Sequence, residues 1–272
     1  MLPTFIVIGA MKSGTTSLYH YLDEHPEVGM SAQKETDFFV AEKNYERGRA
    51  WYESLFDASA KARGEVSPNY TKGHLFSGVA ARMNALVPGA KLIYLVRDPI
   101  DRLVSHYTGS RAVGREGRAL PDALADLDGC NYVQTSRYHR QLEPYLAHYD
   151  PDDLLVVPSR DLREAQGRTL RAIYRFIGVD ETFENTRTKR LNASSSLKQR
   201  GRWYRLLSGA MSQPLKDALR PYVPLGWLPG SSSDAPRPTL SASQEARLTD
   251  YLADDVRALR TLTNRRFPNW RL

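Results

Sequence analysis

The chain has 272 residues, 41% hydrophobic and 25% charged, a balance that suits one α/β domain with its own core and excludes a fibrous or disordered polymer. A net charge of +7, from 38 Lys and Arg against 31 Asp and Glu, points to an anionic partner but is too small and dispersed to demand nucleic acid. The single cysteine, Cys130, excludes an intramolecular disulfide and reads as a small buried hydrophobe; the opening apolar run is too short for a secretory core or a membrane span, so a cytoplasmic protein is expected.

In chain order, Phe5-Ile6-Val7-Ile8 predicts a strand, and Leu18, Tyr21, Leu22 and His25 follow at helical spacing up to Pro26. Gly64-Glu65-Val66 and Lys91 to Val96 predict two further strands, and Asp98-Pro99 starts a helix with an acidic cap and proline in its first turn. Leu142, Tyr145, Leu146 and Tyr149 form a helical face, Leu154 to Val157 a fourth strand, and Leu170, Ile173, Tyr174 and Ile177 another helix. The first, third and fourth strands are apolar at successive residues, as strands buried on both faces of a parallel sheet are. Beyond residue 180 come a basic, serine-rich stretch (Thr186 to Arg205), a Pro/Gly/Ser-rich loop (Pro221 to Pro238) and a long amphipathic helix from about Ser241. Alternating strands and helices predict a P-loop-like three-layer α/β sandwich with a central parallel sheet, forming a single domain over 1–272.

The first strand runs directly into Gly9-Ala10-Met11-Lys12-Ser13-Gly14-Thr15-Thr16-Ser17 and a helix, the order in which backbone N–H groups and the helix dipole hold a phosphate. In the nucleotide-triphosphatase pattern a lysine follows the second glycine and reaches the β- and γ-phosphates; here Thr15 holds that position and Lys12 comes three residues earlier. The loop therefore suits a nucleotide with one 5′ phosphate. The third strand ends in Arg97 and not in an acidic magnesium ligand, so a metal-free reaction is expected. The six histidines show no metal-binding spacing. A glycine loop alone does not decide the matter. A second anion cradle is expected at Arg97-Asp98-Pro99, with Arg102 and Ser105 on one helix face and Tyr107 beyond; alone, Arg97-Asp98 also reads as a capping ion pair and Ser105 as filler. Two anion sites imply a doubly phosphorylated ligand.

Lys12-Ser13-Gly14-Thr15-Thr16 resembles the 5′-phosphosulfate loop of the sulfotransferases that use 3′-phosphoadenosine 5′-phosphosulfate (PAPS). Arg97-Asp98-Pro99-x-x-Arg102-x-x-Ser105-x-Tyr107 resembles their 3′-phosphate element. His25-Pro26, Lys34-Glu35-Thr36-Asp37-Phe38-Phe39 and Tyr45-x-x-Gly48-x-x-Trp51-Tyr52 extend the likeness to heparan-sulfate-type enzymes, N-sulfotransferases and 3-O-sulfotransferases, and their bacterial relatives. The resemblance covers roughly residues 4 to 180, with a weaker echo at Arg265 to Trp270.

It implies PAPS as donor, adenosine 3′,5′-bisphosphate (PAP) as product, no metal, and a hydroxyl or amine of a glycan, glycolipid or small metabolite as acceptor. Residues 1–180 would bind PAPS and 181–272 would form a lid or substrate-side region. Lys12 would contact the bridging oxygen, with Ser13, Gly14, Thr15, Thr16 and Ser17 around the phosphosulfate and Arg97 and Ser105 at the 3′ phosphate. Glu35 would be the general base, partial burial beside Phe38 and Phe39 raising its pKa and Lys34 opposing this; a surface residue before an aromatic anchor is the alternative, and His106 a competing base. Lys198, Arg200 and Arg202 fall where the family has a basic glycine loop over the 3′ phosphate, or form a solvated linker. The family carries a lysine where this chain has Val66, so Lys72 or a cation from 198–202 takes over, or sulfate stabilisation is weaker. The rival classes are a P-loop kinase or hydrolase and a non-catalytic polyanion-binding module.

Overall fold

The computed structural model describes residues 1–185 and 238–272. Five parallel strands, β1 (Phe5–Gly9), β2 (Val28–Met30), β3 (Ala62–Val66), β4 (Lys91–Val96) and β5 (Leu154–Pro158), form one sheet in the order β2-β3-β1-β4-β5. β1 is central, and all five of its residues are buried, as its unbroken apolar run requires. Because successive side chains point to opposite faces, Ile6, Ile8, Tyr94 and Val96 face one layer while Phe5, Val7, Ile93 and Leu95 face the other. The first layer is covered by α2 (Gly48–Glu53), α3 (Val79–Leu86), α7 (Tyr138–Leu146) and the last helix, Ala242–Thr263; the second by α1 (Thr15–Asp23) and α9 (Gln166–Ile177); the short α5 (Leu120–Ala123) and α6 (Asn131–Gln134) belong to a separate apolar cluster. The expected three-layer sandwich is present.

Three local features depart from the sequence reading. α1 ends at Asp23 and not at Pro26, and His25 instead bridges to the end of α9: its Nε2 lies 2.8 Å from the Asp180 carbonyl and its ring packs 4.6 Å from Tyr174. β5 is an edge strand with Leu154 and Leu155 half-buried, so its apolar run is not sheltered on both faces along its length. β2 has three residues, too few for a periodicity to register.

The last helix opens with a capping box: the Ser241 hydroxyl accepts from the Gln244 N–H at 3.2 Å, and the Gln244 side chain accepts from the Ser241 N–H at 2.9 Å. Leu248 and Leu252 join Ile100, Leu103 and Tyr107 of α4 (Pro99–Ala112) in a third apolar cluster. The Asp255 carboxylate accepts the His139 and Arg140 N–H groups at 3.1 and 2.9 Å, supplying α7 with a cap from another element. Among the described residues no helix is long and apolar enough to cross a membrane.

Candidate active site

The carboxyl ends of β1, β3, β4 and β5 meet along one edge, where ligands of open α/β sheets bind. The loop after β1 is tied to its neighbour by the Ala10 N–H, which donates to the Leu95 carbonyl at 2.8 Å. Lys12 (φ 70°) and Gly14 (φ 94°) both take left-handed conformations, costly for Lys12 and free for Gly14, and together they turn the chain into α1. α1 has no side-chain cap and no acidic residue in its first turn, so its leading N–H groups stay available to an anion. Ser13 and Thr15 are buried; Lys12, Gly14, Thr16 and Ser17 are exposed.

The Lys12 side chain runs onto α4. A β-carbon at Gly109 would come within 3.0 Å of Lys12 Nζ, so this glycine makes room for the ammonium. Sheltering of the ammonium end, and secondarily the neighbouring Arg97 charge, lower the Lys12 pKa. Ser105 lies one turn before Gly109 on the same face of α4 and is half-buried.

Arg97 is fixed at the end of β4 by the Tyr138 hydroxyl, which donates to the Arg97 carbonyl at 2.9 Å and accepts its N–H at 3.2 Å. Its guanidinium meets Asp101 at 3.2 Å, and Asp101 is also paired with Arg271 at 2.6 Å. Arg97 lines a cavity of about 290 Å³ with Lys12, Ser13, Gly14 and Ser17 of the loop and with Ser159 and Arg163 of α8 (Ser159–Glu164). A second cavity of about 320 Å³ shares Arg97, Ser159 and Arg163 and ends against Arg265 to Trp270. The structure thus brings the loop and Arg97 together in one groove. Ser105 lines neither cavity.

The expected second cradle is corrected in two respects. The α4 N-terminus is already filled: the Asp98 carboxylate accepts from the Asp101 N–H and the Arg271 N–H, each at 2.8 Å. Arg102 is fully buried and used internally, donating to Ser136 Oγ at 2.8 Å, to the Tyr132 carbonyl and, at 3.4 Å, to the Met11 carbonyl. It buttresses the loop from beneath. Tyr107 is likewise buried, its hydroxyl donating to the Arg118 carbonyl at 2.8 Å. Helical spacing correctly gave the face of Arg102 but not its depth.

Glu35 is held at the end of β3, its N–H donating to the Val66 carbonyl at 3.0 Å, with φ 62°. One carboxylate oxygen pairs with Lys34 Nζ at 2.6 Å, and the side chain is 41% exposed. Phe38 and Phe39, by contrast, turn inward onto Tyr52, at ring separations of 4.2 and 5.3 Å. The aromatic pair anchors the loop and does not bury Glu35.

Beneath that loop lies a group the sequence reading missed. Glu65 is fully buried, and its carboxylate accepts from the hydroxyls of Thr36, Tyr52, Ser67 and Tyr70. Burial raises its pKa, and the four hydroxyls pull the other way. A carboxylate next to an apolar strand residue was the available signal, but its partners are scattered from Thr36 to Tyr70.

His106 is buried against Arg102, whose Nη1 lies 3.2 Å from its Nδ1. Burial, then the charges of Arg102, Lys72 and Lys12, push its pKa down to about 2. A neutral imidazole of that basicity is a poor proton acceptor at neutral pH, which weighs against His106 as general base. Val66 is buried in the layer under α1, while Lys72, after the short turn Pro68–Thr71, is buried with its ammonium 3.3 Å from the Met11 sulfur. Lys198, Arg200 and Arg202 lie outside the described residues.

The family model described as "Sulfotransferase domain" matches residues 2–208. The bovine bifunctional heparan sulfate N-deacetylase/N-sulfotransferase 2 is 27% identical over 291 residues, covering 99% of this chain and 30% of the relative. The mouse heparan sulfate glucosamine 3-O-sulfotransferase 3B1 is 28% identical over 244 residues, covering 81% and 61%. The chain therefore spans between about a third and three fifths of the length of these relatives. Among solved structures, a sulfotransferase from Alicyclobacillus acidocaldarius superposes with a TM-score of 0.72 at 23% identity, each chain covered completely. A mouse sulfotransferase solved with PAP superposes at 0.55 and 15% identity, covering 96% of this chain and 88% of that one. Both show the same fold.

Proposed function

The chain belongs to the sulfotransferase domain family, and from that premise we propose that it moves a sulfuryl group from PAPS to a hydroxyl or amine of a carbohydrate or small-molecule acceptor. The observation that carries this reading is the single groove lined by Lys12, Ser13, Gly14 and Ser17 of the loop, by Arg97 and by Arg163. An adenosine bisphosphate carries two anionic groups, and three cations, Lys12, Arg97 and Arg163, line this groove. The uncapped start of α1 suits the 5′ end, and the braced guanidinium of Arg97 suits the 3′ phosphate.

When bound, PAPS supplies an activated sulfuryl group whose transfer passes through a loose, in-line transition state. Negative charge then grows on the bridging oxygen, and Lys12 is the cation beside the loop that would hold it; such a contact contributes about 10²- to 10³-fold in rate. The acceptor proton goes to Glu35. Its pairing with Lys34 engages one carboxylate oxygen and, among the described residues, leaves the other without a hydrogen-bond partner. Glu65 holds the Glu35 loop in place through Thr36, and Arg102 supports the Met11 carbonyl. Neither would touch the substrate. Carbohydrate acceptors have the support of the named relatives, which act on heparan sulfate.

The test is incubation with labelled PAPS and a panel of carbohydrate and small-molecule acceptors, read by mass spectrometry. A gain of one sulfate that disappears with Lys12→Ala supports the proposal. No labelled product, together with no binding of PAP, contradicts it.

A further inference from the structure

We infer that Lys72 is a second cation of the transfer site, contacting the sulfuryl group itself and supplying from a later position the charge that Val66 does not. This deepens the sulfotransferase reading and rests on it.

The argument begins with an ammonium out of water. Lys72 is 6% exposed, yet its one hydrogen-bond acceptor among the described residues is the Met11 sulfur, and no carboxylate lies within ion-pair distance. A buried ammonium with three donors and a single soft acceptor is an expensive arrangement for stability alone. Of the nearby carboxylates, Asp37 meets Lys43 and, at 2.9 Å, Asn69 through one oxygen, and Glu35 meets Lys34 through one oxygen; among the described residues neither forms an ion pair with Lys72.

The charges facing Lys72 from the packed elements are Arg102 of α4 and Lys43 on the cationic side, and Asp37 and Glu35 on the anionic side. The neutral His106 and the partly buried His74 complete the surroundings. Burial is the main cause, and Arg102 the next, that brings the Lys72 pKa down to about 8. An anion arriving beside it would restore the full charge.

The backbone is rigidly placed for this role. The Thr71 hydroxyl donates to the Ile8 carbonyl at 3.1 Å, the Tyr145 hydroxyl to the Tyr70 carbonyl at 2.7 Å, and the Gly73 N–H to the Gln141 side chain at 2.7 Å. These bonds fix Lys72 at the end of β1 beside the phosphate loop. Met11 immediately precedes Lys12, so the two lysines flank one stretch of that loop.

The step balances without further reagents. A lone pair on the acceptor oxygen forms the new bond to sulfur, and the bond from sulfur to the bridging oxygen breaks with its electron pair leaving on PAP. The acceptor proton goes to Glu35. Lys72 keeps its protons and offsets charge on the sulfuryl oxygens.

The experiment compares wild type, Lys72→Met and Lys72→Arg in turnover and in calorimetry with PAPS and PAP at pH 8, using buffers of different ionisation enthalpy. The expected result is a fall in kcat of about 10²-fold for Lys72→Met, with PAP affinity within about threefold of wild type, as PAP lacks the sulfuryl group. Lys72→Arg should recover part of the rate. Wild type should take up more protons on binding PAPS than PAP, and Lys72→Met should lose that excess. Unchanged turnover in Lys72→Met, or equal proton uptake for the two nucleotides in wild type, overturns the role of Lys72. Should Lys72→Met fail to fold, the wild-type proton balance decides alone. Failure of wild type to bind PAP would instead sink the donor assignment, so the two failures are distinguishable.

Discussion

The junctions that end β1 and β4 share an outline, strand then turn then helix, and differ in what occupies the helix N-terminus. α1 begins at Gly14 without a side-chain cap. α4 begins at Asp98, whose carboxylate takes the Asp101 and Arg271 N–H groups. The first junction therefore offers backbone donors to a ligand, whereas the second satisfies its own and offers only the side chain of Arg97. A strand-to-helix turn becomes an anion site when the protein withholds the cap, and a structural corner when it supplies one.

Removing Lys12 should break the first junction most severely: Lys12→Ala is expected to lower turnover by about 10²- to 10³-fold, while thermal unfolding stays near wild type because the side chain is on the surface. Arg97→Ala tests the second junction. Loss of a charge-assisted contact of about 1.5–3 kcal/mol should weaken PAP binding about 10- to 100-fold, measured by calorimetry. Asp98→Ala removes the cap and should destabilise the fold by about 1 kcal/mol, visible in denaturant unfolding. Gly109→Ala sharpens the comparison from the other side: it should stabilise α4 by up to about 1 kcal/mol yet lower turnover several-fold, because its methyl group meets the Lys12 ammonium. Chelation with EDTA is expected to leave turnover unchanged, since the charges assigned to the transfer are carried by lysines and arginine.

Much of this was readable from local order. The β1 loop and α1, the cap at Asp98 and the start of the last helix are set by neighbouring residues, and the sequence named all three. What escaped depends on depth and on contacts between distant segments. Arg102 shares a helix face with Ser105, but only the packing of Tyr132, Ser136 and Met11 around it shows that it is internal. Glu65 draws hydroxyls from four places between Thr36 and Tyr70. Lys72 is one of several candidates in the sequence, and its burial beside Met11 is visible only in the fold.

The sharpest measurement is calorimetric titration of wild type, Lys12→Ala and Arg97→Ala with PAP and with AMP, which lacks the 3′ phosphate. One nucleotide spanning both junctions predicts that Lys12→Ala weakens both ligands, whereas Arg97→Ala weakens PAP alone. Equal losses for the two ligands in Arg97→Ala, or no heat from PAP with wild type, would contradict it.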